Sequence, residues 1–135
     1  IQHAGLGNVF QFTGLVPPSE IPPLIGAMDI VVHTTLREGL ARVLPQGLIA
    51  GKPVVSYDID GAREVVINDK TGVRLAPREI DGLAKSLARL ADNRALREQL
   101  GREGKARFTE PFRHEHMTSQ LRALYEHILA SKRLS

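Results

Sequence analysis

"TTLREGLARVLPQGLIAGKPVV", Thr34 to Val55, places a carboxylate, a run of small residues, a helix-like stretch and a strand in close succession. Just before it, Ile30-Val31-Val32 is a continuous apolar run, the pattern of a parallel strand buried on both faces. Pro53-Val54-Val55-Ser56-Tyr57 reads as a second strand. Gly39, Leu40 and Ala41 are expected to open the intervening helix, with Pro45 near the limit of where a first turn tolerates proline. Strand, helix, strand in this order argues for a crossover and parallel pairing.

The rest of the chain extends the alternation. Val9 to Thr13 alternates like a short strand and stops at Gly14. Ser19 is a plausible N-cap for a helix carrying Ile21, Leu24, Ile25 and Met28, with Pro22-Pro23 in its first turn. After Tyr57, Asp58-Ile59-Asp60-Gly61 reads as a loop in which Asp60 caps the brief turn Ala62 to Val66. Asn68 to Gly72 is a turn cluster, followed by the strand Val73-Arg74-Leu75. Helical spacing recurs from Ile80 (Leu83, Leu87), around Leu96 and Leu100, and again from Leu121 to Leu129, with Pro111 between the last two. The order predicts a doubly wound α/β fold with a parallel sheet, residues 1–135 forming a single domain with C-terminal helices.

Composition narrows the function. Of 135 residues 42% are hydrophobic and 24% charged, an ordinary globular balance. With no Trp, two Tyr and four Phe, the chain lacks the aromatic platforms of a single-stranded nucleic-acid binder, so no nucleic-acid partner is expected. There is no cysteine, which excludes disulfides and thiolate-held metals. Residues 1–92 carry 9 Lys/Arg and 10 Asp/Glu, while residues 93–135 carry 9 and 5, so the basic excess lies in the C-terminal helices. A solvated helix face is the simple explanation, and contact with an anionic membrane surface the lesser one. No apolar run spans a bilayer and no signal peptide is visible, pointing to a cytoplasmic protein, peripheral to the inner face of the membrane at most.

In an open parallel sheet, ligands bind outside the carboxyl ends of the strands. Glu38 falls there, a few residues past Ile30–Val32. Backbone N–H groups at Gly39, Leu40 and Ala41, unpartnered if they begin a helix, suit phosphate oxygens. A carboxylate beside a diphosphate makes sense if it accepts hydrogen bonds from neutral hydroxyls, and a sugar diphosphate satisfies both halves. Glu38 is also placed to pair with Arg42 as a simple helix-end partner. His33 is the histidine nearest this site, although packing is its simpler role. Asp58-Ile59-Asp60 has the spacing of a metal-binding acid pair, but turn chemistry accounts for it. His114-Glu115-His116 lacks a third ligand. Gly47 to Lys52 is one residue short of a P-loop, and Pro53 occupies its Ser/Thr position.

These pieces, in this order, resemble the C-terminal, donor-binding half of the group 1 (family 4) retaining glycosyltransferases, which have the two-Rossmann GT-B architecture. The resemblance rests on Phe12-Thr13-Gly14, the Ile30–Val32 run, Glu38-Gly39 through Gln46, Ala50-Gly51-Lys52-Pro53-Val54-Val55, Gly61-Ala62-Arg63-Glu64-Val65 and Thr71-Gly72. It implies a Rossmann-like, metal-independent hexosyltransferase-type enzyme of bacterial glycan biosynthesis, with a nucleoside-diphosphate sugar as donor substrate and no cofactor. By the same resemblance Glu38 serves catalysis beside the donor sugar, while Gly39, Leu40 and Ala41 lie along the sugar and diphosphate. Leu15 and Val16, after Gly14, approach the base. Gln46 stands where the family has a second glutamate accepting from the ribose. Arg42 is a candidate phosphate ligand in place of the family's Arg and Lys from upstream of residue 1. The acceptor domain is expected on an N-terminal half absent from this chain, leaving the fragment alone inactive. Alternatives are a non-catalytic nucleotide-sugar-binding module and a GT-B-like sugar-nucleotide epimerase.

Overall fold

Val54 and Val55 are neighbours on one strand, so their side chains leave opposite faces of the sheet, and both are fully buried. That places covering layers on both sides of the strand they share. The computed structural model, which describes residues 1–133, supplies those layers. Its strands are β1 (Val31–His33), β2 (Val54–Tyr57) and β3 (Gly72–Leu75), in the order β1-β2-β3 and all parallel. The register sets Val31 against Val54, His33 against Ser56, and Tyr57 against Leu75.

Among the described residues six α-helices accompany this sheet, the first five packing on it: α1 (Ile21–Ala27), α2 (Val43–Ile49), α3 (Ala62–Val65), α4 (Ile80–Asp92), α5 (Arg94–Phe108) and α6 (His114–Arg133). One apolar cluster gathers Ile25, Leu44, Leu48, Val31, Val54 and Val65 from α1, α2, α3 and the sheet. The other packs Val55 and Val73 against Leu90 of α4 and Leu100 of α5. The chain is therefore an α/β protein with a parallel sheet covered on both faces, as the alternation predicts.

Close contacts lock α5 onto the turn after α2. A Cβ on Gly101 would collide with the carbonyl of Gly51, and one on Gly104 would overlap Leu48. Only glycine permits this approach. Thr71, fully buried, ties α3 to the entrance of β3. Its hydroxyl donates to the Val65 carbonyl and accepts from the Ile67 N–H, each at 2.9 Å. Helix α6 behaves differently: Met117, Leu121, Leu124, Tyr125 and Ile128 all remain exposed along it.

Four local expectations change. Val9–Thr13 forms no strand; Gly7–Val9 is a 3-10 turn, and Phe10 onward is extended without a ladder. Alternation supplies the right period, but a strand also needs a partnered edge. Phe10 and Phe12 instead stack on each other, ring centroids 6.4 Å apart. Ser19 caps nothing, because a 3-10 turn at Pro18–Glu20 feeds α1 directly and Glu20 occupies the N-cap position without a side-chain bond. Helix α2 begins at Val43, so Gly39, Leu40 and Ala41 lie in a loop. Pro45 is the reason: a helix opening at those residues requires residue 45 to donate an N–H to Ala41, and proline has none. Asp60 does not cap α3, whose N-cap Gly61 has no side-chain bond.

Leu48 is at 0% exposure between α5 and the sheet. Leu48→Ala is expected to lower stability by about 3 kcal/mol through lost burial and an unfilled cavity. Urea denaturation with an unchanged m-value measures it.

Candidate functional site

The loops at the carboxyl ends of β1 and β2 are built against each other. Residues 34–42 leave β1, residues 58–61 leave β2, and the Gly61 N–H donates to the Gly39 carbonyl at 3.1 Å. A Cβ on Gly61 would stand 3.0 Å from Leu40 Cα and 3.1 Å from the Gly39 oxygen, so a side chain there requires the 39–40 segment to shift by a few tenths of an ångström. Asp60 adopts φ 37°, in the left-handed region that Asp tolerates better than most residues. From that position its Oδ2 accepts the Glu38 backbone N–H at 3.2 Å. This is the task Asp60 performs in place of a helix cap.

The Glu38 side chain has a separate close contact. Its Oε2 lies 3.2 Å from Nε2 of His33, the last residue of β1. The imidazole is 23% exposed and the carboxylate 45%, so the ring is held by the fold while the acid still reaches solvent. His33, Glu38, Gly39, Tyr57 and Ala62 enclose a small cavity of about 10 Å³. The histidine thus contacts the carboxylate besides packing at the strand end. The signal for it is its place at the end of an apolar strand, one short loop before the carboxylate.

Gly39, Leu40 and Ala41 follow directly. Their backbone N–H groups donate to no protein acceptor among the described residues. Open space surrounds the position a Gly39 Cβ would take. The donors expected of this stretch are uncommitted, but they lie in a loop and not in the first turn of a helix, and Ala41 itself is buried.

Arg42 makes no ion pair with Glu38 among the described residues; it lines a groove of about 250 Å³ with Leu40, Pro45, Gln46, Ile49 and Phe112. Gln46 and Ile49 also border a neighbouring groove of about 310 Å³ against Ile21, Pro22 and Ile25. Gln46 is bonded to Arg42 only through the backbone, its N–H donating to the Arg42 carbonyl at 3.2 Å. The structure thus groups Arg42 and Gln46 on the outer face of α2 and Glu38 with His33 at the sheet end. Gly14, at φ 66°, and the fully exposed Leu15 occupy a separate loop, with Val16 half-buried. No hydrogen bond or ion pair among the described residues joins that loop to residues 38–46.

Asp58 stands beside the site without joining it. Its Oδ1 accepts from Arg63 at 2.7 Å and forms an ion pair with Arg74 Nε at 3.0 Å, bracing the ends of α3 and β3. No three His, Cys, Asp or Glu side chains converge as metal ligands among the described residues. At the opposite end of the sheet, exposed Arg94 and Glu98 bond at 2.8 Å. That hydrogen bond, followed by their charge attraction, raises the guanidinium pKa and lowers the carboxyl pKa.

Residues 1–107 match the family model of glycosyl transferases group 1. The chain belongs to the group 1 glycosyl transferases. It is 29% identical over 133 residues to a 2-deoxystreptamine glucosyltransferase of Streptomyces kanamyceticus, covering 98% of this chain and 34% of that one. Sucrose-phosphate synthase from Thermosynechococcus elongatus superposes with a TM-score of 0.90 at 25% identity, over 96% of this chain and 33% of the other. Anabaena Alr3699/HepE in complex with UDP-glucose gives 0.87 at 26% identity, over 93% and 34%. The chain thus spans about a third of the length of the group 1 transferases it matches. Its Rossmann-like sheet is that of a GT-B C-terminal half.

Gly61→Ala isolates the contact between the two loops. Because the crowded atoms belong to a loop that can shift by a few tenths of an ångström, stability is expected to change by less than about 1 kcal/mol. The amide resonances of Glu38 to Ala41 are expected to move in two-dimensional NMR spectra. Unmoved resonances would mean that Gly61 does not set the position of this loop.

Proposed function

We propose that this chain is the donor-binding domain of a retaining glycosyltransferase, which moves a sugar from a nucleoside diphosphate to an acceptor hydroxyl. The observation that carries the reading is the exposed Glu38 carboxylate, with His33 Nε2 at 3.2 Å, set beside the uncommitted N–H groups of Gly39, Leu40 and Ala41. An acceptor-only group for sugar hydroxyls lies next to donors for phosphate oxygens. The UDP-glucose complex of the Anabaena neighbour supports the same ligand class and supplies the probe. The acceptor is held by the remainder of a longer protein of the kind the relatives represent.

In the reaction, positive charge develops on the donor sugar as its bond to the diphosphate lengthens. Glu38, beside that sugar, stabilises the charge electrostatically while fixing the sugar's orientation. The N–H groups of the 39–41 loop receive the growing negative charge of the departing diphosphate. Arg42 adds a cation from the adjacent groove, and Gln46 contacts the ribose through its amide. Leu15 and Val16, following Gly14, border the base.

Glu38→Gln keeps the shape and removes the charge. A charge-assisted hydrogen bond contributes roughly 1.5–3 kcal/mol, so UDP-glucose binding is expected to weaken by about 10-fold or more while UDP binding holds. Isothermal calorimetry with both ligands measures the difference. Equal losses would reduce Glu38 to a structural partner of the loop.

Gln46→Glu tests the ribose contact. The carboxylate accepts more strongly from the 2′- and 3′-hydroxyls, yet it repels the diphosphate, so the net gain is expected to be about 1 kcal/mol for UDP. The gain should vanish for 2′,3′-dideoxy-UDP. The same change in both nucleotides would place the ribose elsewhere.

A further inference from the structure

We infer that His33 is a positioning residue for the donor sugar: it holds Glu38 by one carboxylate oxygen and leaves the other for the ligand. This rests on the proposed contact between Glu38 and sugar hydroxyls. His33 is the terminal residue of β1, in register with Ser56 of the fully buried strand β2, so its backbone has the rigidity of the sheet. Glu38 lies in an exposed loop, where a free carboxylate samples several rotamers. Two contacts restrict it. Asp60 fixes the backbone through the Glu38 N–H, and His33 Nε2 reaches Oε2. Oε1 accepts no hydrogen bond from a protein donor among the described residues.

The chemistry requires Nε2 to carry a proton, since a carboxylate only accepts. The Nε2–H tautomer and the imidazolium both satisfy this, whereas the Nδ1–H tautomer does not. A pair of this kind aims one oxygen before the ligand arrives, so the sugar meets an oriented acceptor. Bare nucleotide, which has no sugar at Glu38, gains nothing from it. The signature of His33 is therefore a change in discrimination between sugar nucleotide and nucleotide, distinct from a general loss of binding.

Calorimetry of the protein with UDP-glucose and UDP reads this discrimination. His33→Leu, close in volume but without a donor, is expected to weaken UDP-glucose binding about tenfold and UDP binding less than twofold. His33→Gln carries an amide N–H near the position of Nε2 and is expected to recover most of the loss. Equal losses for the two ligands, no loss for UDP-glucose, or a Gln variant as poor as Leu would overturn the role. Glu38→Gln separates this inference from the reading beneath it. If that variant alone shifts the ratio of the two affinities, only His33's role fails; if it leaves the ratio unchanged, the sugar contact itself fails. A measurement on the unmodified protein does not depend on any variant folding. The ¹⁵N resonances of the His33 ring are expected to show a protonated Nε2, and a bare Nε2 with protonated Nδ1 would refute the proposal.

Discussion

Burial of β2 on every side is the constraint on which the rest depends. Val54, Val55, Ser56 and Tyr57 are all buried, with a parallel strand on each edge and a helical layer on each face. Parallel strands cannot be joined by tight turns, so each connection must cross a face and return in the same direction. That requirement places α2 between β1 and β2, and α3 between β2 and β3. It also sends every strand's carboxyl end to the same side of the molecule, where Glu38 and Asp60 meet across two loops. The site is a by-product of satisfying one strand's backbone and side chains at once.

Much of this was legible in the residues. Continuous apolar runs such as Ile30–Val32 and Pro53–Val55 have few uses besides a buried strand, and the helical spacing from Ile80 onward extends far enough to be unambiguous. The failures share a cause: local patterns were read without the partner that must complete them. Val9–Thr13 has the period of a strand and no ladder. Ser19 and Asp60 have the chemistry of caps, but a 3-10 turn bypasses one and the Glu38 N–H occupies the other. The start of α2 was in principle readable, since Pro45 lacks the N–H that an earlier start requires.

At the site, the carboxylate and the small residues after it were legible in the sequence, but as the start of a helix, whereas the structure has them in a loop. The sequence did not indicate how Glu38 is held. Arg42 was the natural partner by spacing along a helix, but without helix at residues 39–42 that spacing has no meaning. His33 takes its place because the loop folds back over the end of β1. Separations of three or four residues predict contact only where the backbone is already known to be helical.

The glycines divide the molecule's substitution tolerance unevenly. A side chain at Gly61, Gly101 or Gly104 would run into neighbouring atoms, while one at Gly39 would project into empty space. The frame therefore resists change, while position 39 on the rim can vary almost without structural penalty. Such a division makes a fold evolvable: recognition can diversify by single replacements on the open rim, each tested by selection for its effect on the ligand, with the packed interior never exposed to the experiment.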